Sequence, residues 1–347
     1  MKKHAIIPVF IPHRGCPNDC VFCNQKAITA RQPDVTPENM RDIIETYLPT
    51  LTGRGLETIE VAFFGGSFTG LPMEEQSAFL AVAAEYKRKG LIDKIHMSTR
   101  PDYIDTVILD NLRYFGADTI ELGVQSFDDD VLTAAGRGHS AEDVYHACAL
   151  IHEYGFELGI QLMIGLPGDS LEKCIYSARE AVRMKPSIAR LYPTIVLQDT
   201  ALYDMTKAGL YHPLTTEEAV AITKEMYRIL AGAGVNIIRV GLKSTDLISG
   251  SGEESDQTRG HTYHPAFRQL VEGEIAREDI ESQLQKLPGD ANEKRRITVS
   301  SNGVSFSNMI GNSACNRRYF QSKYPQLSFR FAVDDSLPDM TFAVTVS

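Results

Sequence analysis

Cys16-Pro17-Asn18-Asp19-Cys20-Val21-Phe22-Cys23 places three cysteines at C-x3-C-x2-C spacing. Thiolates this close can converge on one metal cluster without a ligand from distant chain. Three protein ligands leave one iron of a [4Fe-4S] cluster open to a small molecule. The alternatives are a zinc site completed by His13 or a distant residue, and three ordinary thiols. Zinc sites usually draw on two cysteine pairs or on a Cys/His pair, whereas Cys148, Cys174 and Cys315 are isolated in the sequence. So few cysteines in so long a chain, with no signal peptide evident, do not suggest a disulfide framework.

Other chemistry-bearing residues follow apolar runs. Gly65-Gly66-Ser67 closes one such run; two glycines let the backbone bend sharply and approach a ligand, or simply turn. Ser98 and Arg100 flank the end of another, where Pro101 stops the strand for want of an amide donor. Ser98 can hydrogen-bond a hydroxyl or carboxylate. Arg100 suits a carboxylate ligand or a structural ion pair. In 118–125, alternation sends Glu121, Gly123 and Gln125 to one face, where buried polar groups need partners, either a cofactor or a structural network. Arg137 presents a planar fork suited to a carboxylate, and Gln161 is polar inside the apolar run 157–164. His261, Tyr263 and His264 could donate protons or hydrogen bonds, or serve as a helix entry.

The elements that carry these residues alternate. Strand-like runs lie at 5–11, 58–64, 94–99, 118–124, 157–164 and 188–196, with helical patterns at 37–52, 72–90, 104–115, 140–154 and 170–185. Thr36-Pro37 and Ser140 read as helix starts, and Gly90, Gly116 and Gly155 as helix stops. Strands separated by helices imply an α/β fold with a parallel sheet, doubly wound or a partial barrel, whose ligands bind at the strands' C-terminal ends. A helix at 215–231 and a strand at 235–240 extend the pattern to an expected boundary at 245. Residues 246–347 are expected to form a small α+β substrate or cap unit, with a loop at 249–252, a helix from 266 and strands at 297–300, 303–307, 327–333 and 341–346. Asn302-Gly303 is a hairpin signal between the first two of those strands.

The chain has 347 residues, 43% hydrophobic, enough for a sizeable core of one large or two smaller domains. No apolar run approaches membrane-spanning length and no targeting segment is evident, so a cytoplasmic protein is expected. The net charge of −10 argues against indiscriminate nucleic-acid binding. Residues 294–330 nevertheless hold seven basic residues and no acidic one, either a phosphate-contacting surface or a solvated face.

The spacing C-x3-C-x-(aromatic)-C after a first strand resembles the radical S-adenosylmethionine (SAM) superfamily, and the later motifs come in that family's order. The resemblance implies a partial (β/α)6 TIM-like barrel. It implies a [4Fe-4S] cluster on Cys16, Cys20 and Cys23, SAM chelated to the open iron, and reductive cleavage of SAM to methionine and a 5'-deoxyadenosyl radical. It implies Phe22 beside the adenine, the Gly65-Gly66-Ser67 backbone on the methionyl amine, and Gln125, Arg137 and Gln161 on the ribose and carboxylate. Ser98 stands where relatives often carry an acidic residue, and Ser67 where an acidic residue or threonine is more usual. The phrases Thr99-Arg100-Pro101-Asp102-Tyr103, Glu121-Leu122-Gly123-Val124-Gln125-Ser126, Arg137-Gly138-His139 and Tyr192-Pro193-Thr194 are similar to the radical SAM domain of the elongator catalytic subunit, which modifies the tRNA wobble uridine. Oxygen-independent coproporphyrinogen III oxidase is more loosely similar. About 100 residues follow Gly241, without an acetyl-CoA pyrophosphate loop, so acetyl-group transfer does not carry over. The basic segment makes tRNA or another nucleic acid the first substrate expected, and a reductant such as flavodoxin or ferredoxin is the expected electron donor. The alternatives are a small-molecule substrate and a non-catalytic iron–sulfur binding or regulatory protein.

Overall fold

The computed structural model describes residues 4–11, 16, 20–23, 35–242, 258–259, 262–287 and 294–346. His13, His261 and the 249–252 loop lie outside them. Seven parallel strands form one sheet in the order β1 (His4–Phe10), β2 (Thr58–Phe64), β3 (Lys94–Thr99), β4 (Thr119–Gln125), β5 (Glu157–Ile164), β6 (Ile188–Pro193) and β8 (Asn236–Val240). The first six neighbours are consecutive in sequence, as crossover helices on one side of a curling sheet require. Those helices are α1 (Pro37–Leu51), α2 (Met73–Arg88), α3 (Thr106–Tyr114), α5 (Ala141–Glu153) and α6 (Leu171–Arg183), and α8 (Thr216–Gly232) leads into β8. Two short helices, α4 (Asp129–Ala134) and α7 (Ala201–Lys207), follow β4 and the two-residue strand β7 (Val196–Leu197), which pairs antiparallel with β9 (Thr258–Arg259). The result is the expected partial α/β barrel with one strand added at its edge.

Side-chain caps fix where the helices begin. Thr36 and Asn39 form a reciprocal capping box on α1, Ser140 and Asp143 another on α5, and Thr215 and Glu218 a third on α8. The helices bury their apolar faces against the outer side of the sheet. Ile7, Val61, Phe63, Ile95, Met97, Ile120, Leu122, Leu158, Ile160 and Leu191 meet them in one continuous core.

A second sheet lies beyond the barrel. Its central strand β10 (Arg295–Ser301) pairs in parallel with β11 (Leu327–Val333) and antiparallel with β12 (Ala343–Val346). The helix α9 (Phe267–Leu284) joins the two cores. Phe267, Val271 and Ile275 belong to the barrel core, whereas Ala276, Ile280 and Leu284 pack with Ile297, Val299 and Phe320 of the second. The expected strand at 303–307 and its Asn302-Gly303 hairpin are not formed. Asn302 Oδ1 instead accepts from Ser305 N at 2.8 Å, and Gly303 N donates to Asp335. The chain then enters α10 (Phe306–Ile310) and α11 (Cys315–Lys323). The strand partners β10 needs come from 327–333 and 343–346.

Candidate active site

Because the strands are parallel, every one delivers its C-terminal end to the same edge, and the sequence motifs meet there. The cysteine loop is fastened to that edge by backbone bonds. Val21 N donates to Ala135 O at the end of α4, Leu202 N of α7 donates to Val21 O, and Cys23 N donates to Cys20 O. Phe22 packs between the clusters of Val131, Ala135 and Leu166 and of Val196, Leu202 and Tyr211. Cys20 is buried and Cys16 and Cys23 are half-buried. Among the described residues, no three cysteine, histidine or carboxylate side chains stand as a ready metal site.

The Cys20 sulfur accepts from Arg137 Nη1 at 3.2 Å, and Arg137 Nη2 donates to Gly123 O at 2.6 Å. Arg100 is buried beside them. Its Nε and Nη2 grip Asp102 at 2.9 Å each, and Nη2 also donates to Arg137 O at 2.5 Å. Burial opposes its charge, but Asp102 and the nearby Cys16 and Cys20 sulfurs hold it protonated. Arg100 Nη1 is buried without a hydrogen-bond partner among the described residues. Soft thiolate donors with compensating cations fit an iron–sulfur cluster. His139, two residues on, is pushed down to about 4 by burial and by the charges of Arg137 and Arg100, so it is neutral near pH 7.

Gln125 closes β4 with φ of 69°, a left-handed conformation that a non-glycine residue rarely takes. The β4–β5 register also shifts between Gly123 and Gln125. Gln161 Nε2 donates to Gln125 Oε1 at 3.3 Å, bringing the two expected ribose contacts together. A Cβ on Gly123 would stand 3.0 Å from Gln125 Nε2 and 3.5 Å from Arg137 Nη2, so glycine keeps this cluster open. Gly65 turns at φ of 95° against the Ile11 backbone, and Gly66 and the buried Ser67 follow it. Thr69 Oγ1 bonds Thr99 Oγ1, which ties that turn to the end of β3. Ser98 lies deeper and donates to Glu121 Oε1 at 3.2 Å.

A polar ladder continues below Ser98 on the inner face of the sheet. Glu121 Oε2 accepts from Arg190 Nε at 2.7 Å and lies 3.7 Å from His96 Nε2. Glu60 stands 3.3 Å from both His96 and His4. Burial raises Glu60, but those two histidines hold it down at about 2. Arg190 also donates to Tyr192 OH and lies 4.9 Å over the Phe64 ring. Arg190, inside the strand-like run 188–196, is a position that periodicity alone does not single out. The signal was a charged residue at the inward register of β6, facing Glu121. Outside this region Cys148 is buried in α5, where desolvation pushes its thiol up to about 12. Cys315, isolated in the sequence, is exposed and lines a cavity of about 320 Å³ between α8 and α9. Tyr263 and His264 lie at the entry to α9, where His264 Nδ1 accepts from Ala266 N.

The chain matches the family described as "Radical SAM superfamily" over residues 10–181 and "Radical_SAM C-terminal domain" over residues 186–277. It is 29% identical over 257 residues to the tRNA uridine(34) acetyltransferase of Methanocaldococcus infernus, a match covering 63% of this chain and 48% of that protein. It is 28% identical over 271 residues to human Elongator complex protein 3, covering 65% and 49%. The chain thus spans about half the length of the curated relatives it matches. Among solved structures, the M. infernus Elp3 with residues 1–46 deleted superimposes with a TM-score of 0.54 at 23% identity, covering 70% of this chain and 61% of that one. Methylornithine synthase gives 0.50 at 18% identity, covering 74% and 79%. These two likenesses concern the fold. Together the family matches run from the cysteine loop through the last barrel strand and into α9, and they establish that the chain belongs to the radical SAM superfamily of enzymes.

Proposed function

We propose that the chain binds a [4Fe-4S] cluster through Cys16, Cys20 and Cys23 and SAM at the C-terminal edge of the sheet, and that it modifies RNA, with tRNA the first candidate. The observation that carries the cofactor part is the hydrogen bond from Arg137 to the buried Cys20 sulfur beside the strained Gln125. When bound, the cluster supplies the electron that cleaves SAM to methionine and a 5'-deoxyadenosyl radical. Arg100 and Arg137 compensate the charge of the cysteine ligands, and Arg137 offers its guanidinium to the SAM carboxylate. Gln125 and Gln161 offer amide groups to the ribose, while Phe22 walls the site against water. The Gly65-Gly66-Ser67 turn and Ser98 line the opposite side.

The RNA part rests on the relatives named as tRNA-modifying enzymes and on the basic residues of 294–330, of which Lys294, Arg296, Arg317, Arg318, Lys323 and Arg330 are exposed. The division near residue 245 makes 246–347 a unit that helps shape the substrate site. A flavodoxin- or ferredoxin-like reductant supplies the electron, and a reducing, cytoplasmic compartment suits such a cluster. A small-molecule reactant is the second reading, favoured by two arginines inside the barrel.

The test is anaerobic reconstitution with iron and sulfide, then reduction with SAM and assay for 5'-deoxyadenosine. The expected result is product from the wild type and none from Cys16→Ala, Cys20→Ala or Cys23→Ala. A loaded cluster without SAM cleavage would favour a binding or regulatory role instead. Zinc in place of iron would remove the basis of the proposal.

A further inference from the structure

Two arginines stand abreast on the inner face of the barrel, and only one of them, Arg190, holds a carboxylate. Arg190 of β6 pairs in register with Arg239 of β8. The pairing follows from a register shift: Ala189 faces Ile237, then Arg190 faces Arg239, and Ile238 is skipped. A bulge of this kind re-aims a side chain. Here it places like charges on adjacent strands, an arrangement that costs stability when nothing lies between them.

The nearby charges do not balance the pair. Glu121 is committed to Arg190 Nε and also accepts from Ser98. Glu60 is committed to His4 and His96, and Glu157 to Lys94 at 2.6 Å. Arg239 makes no hydrogen bond or ion pair among the described residues. Arg190 is rigidly presented. Glu121 holds its Nε, Tyr192 its Nη1, and the Phe64 ring covers its face, while Nη2 has no hydrogen-bond partner among the described residues. Its side chain is 11% exposed, so its remaining donor points into sheltered space. A planar guanidinium held this way is preorganised for a two-oxygen acceptor.

We propose that Arg190 and Arg239 form an oxyanion site inside the barrel, which takes a carboxylate or phosphate of the molecule acted on. Gln161 is the register partner of Arg190 on β5 and bonds Gln125, so the anion lies one strand from the side chains assigned to SAM. The inference rests on the reading that the inner face is the reaction space. It adds the chemical class of one reactant.

Isothermal titration of the purified protein with inorganic phosphate and with glutarate tests it, with glycerol as the uncharged control. Arg239→Gln should weaken both anions roughly 10–100-fold, the range for a charge-assisted hydrogen bond to a buried partner. Arg239→Lys should recover part of the loss. The ligand-free melting temperature of Arg239→Gln should be unchanged or higher, because a like-charge contact is relieved. A purely structural arginine would give the opposite: lower melting temperature and unchanged anion affinity. That outcome, or equal affinities in wild type and Arg239→Gln, overturns the proposal. Arg190→Gln combined with Glu121→Gln removes the other half of the site without stranding a buried carboxylate, and should also lose the anions. A hairpin oligoribonucleotide that displaces phosphate only when Arg239 is present would assign the oxyanion to an RNA backbone. Phosphate binding that the hairpin leaves intact assigns it to a small molecule. Because SAM cleavage is read separately, cleavage without an arginine-dependent anion sinks only this inference. Anion binding without SAM cleavage sinks only the radical reading.

Discussion

Gln125 combines two features that oppose each other. Its backbone is left-handed at φ of 69°, and its buried side chain meets Gln161 at the centre of the proposed SAM site. A non-glycine residue in that conformation costs on the order of 1 kcal/mol. Strain of this kind persists where the side chain is needed in one place. Gln125→Gly should therefore leave the protein as stable as wild type or up to about 1 kcal/mol more stable, while SAM affinity falls. Urea denaturation and SAM titration of the reconstituted protein read the two effects. A variant that loses stability and keeps SAM affinity would make Gln125 an ordinary structural residue. Much of this site was legible one residue at a time, because Glu121, Gln125 and Gln161 are polar letters inside apolar runs. Arg100 reads in sequence as either a carboxylate-ligand partner or a structural ion pair, and its grip on Asp102 is the second. The positions that escaped are those whose meaning depends on a neighbouring strand. Arg239 lines up with Arg190 only because of a bulge, and no periodicity within 235–240 announces one.

At the scale of elements, α9 decides whether the molecule behaves as one unit or two. Its first half is buried in the barrel core and its second half in the core of the small sheet. Glu272, at the junction, accepts from Arg268, Tyr227 of α8 and Asn308 of α10. A rigid helix shared by two cores couples their unfolding. Val271→Ala and Ile280→Ala, one in each core and both fully buried, should each cost about 2–4 kcal/mol. Both should lower a single transition followed by circular dichroism. Two separated transitions, each sensitive to only one of the variants, would show that the cores unfold independently. The barrel elements were readable because alternation and helix caps repeat through 5–240, each segment supplying its own start and stop signals. The small unit was less so. Asn302-Gly303 carries a hairpin signal, but the Asn302 side chain is drawn to Ser305 N and Asp339, and that contact opens a helix. The helix α11 begins after two residues in left-handed conformation, Ser313 and Ala314, without a side-chain cap, so the usual start signal is missing.

Over the whole molecule, folding divides the basic segment that looked continuous in sequence. Ile297, Val299, Phe329 and Phe331 face the helices of the small unit. By alternation Arg296 and Arg330 therefore project from the other side of its sheet. Arg317 and Arg318 are exposed on α11, which covers the inner side. Lys323 is occupied by Glu281 at 2.5 Å. The segment thus presents two separate pairs of arginines on opposite sides, and one RNA molecule of modest size is expected to engage one pair. Each phosphate contact contributes roughly 0.7–0.9 to the slope of log affinity against log salt. Charge reversal of Arg317 and Arg318 should weaken tRNA binding and reduce that slope by about 1.4–1.8 if α11 is the contact surface. The same reversal at Arg296 and Arg330 should then change neither. The converse pattern moves the RNA to the outer face of the sheet. If both double variants retain wild-type affinity and slope at low salt, the basic segment is a solvated face, and the oxyanion site inside the barrel becomes the stronger guide to the substrate.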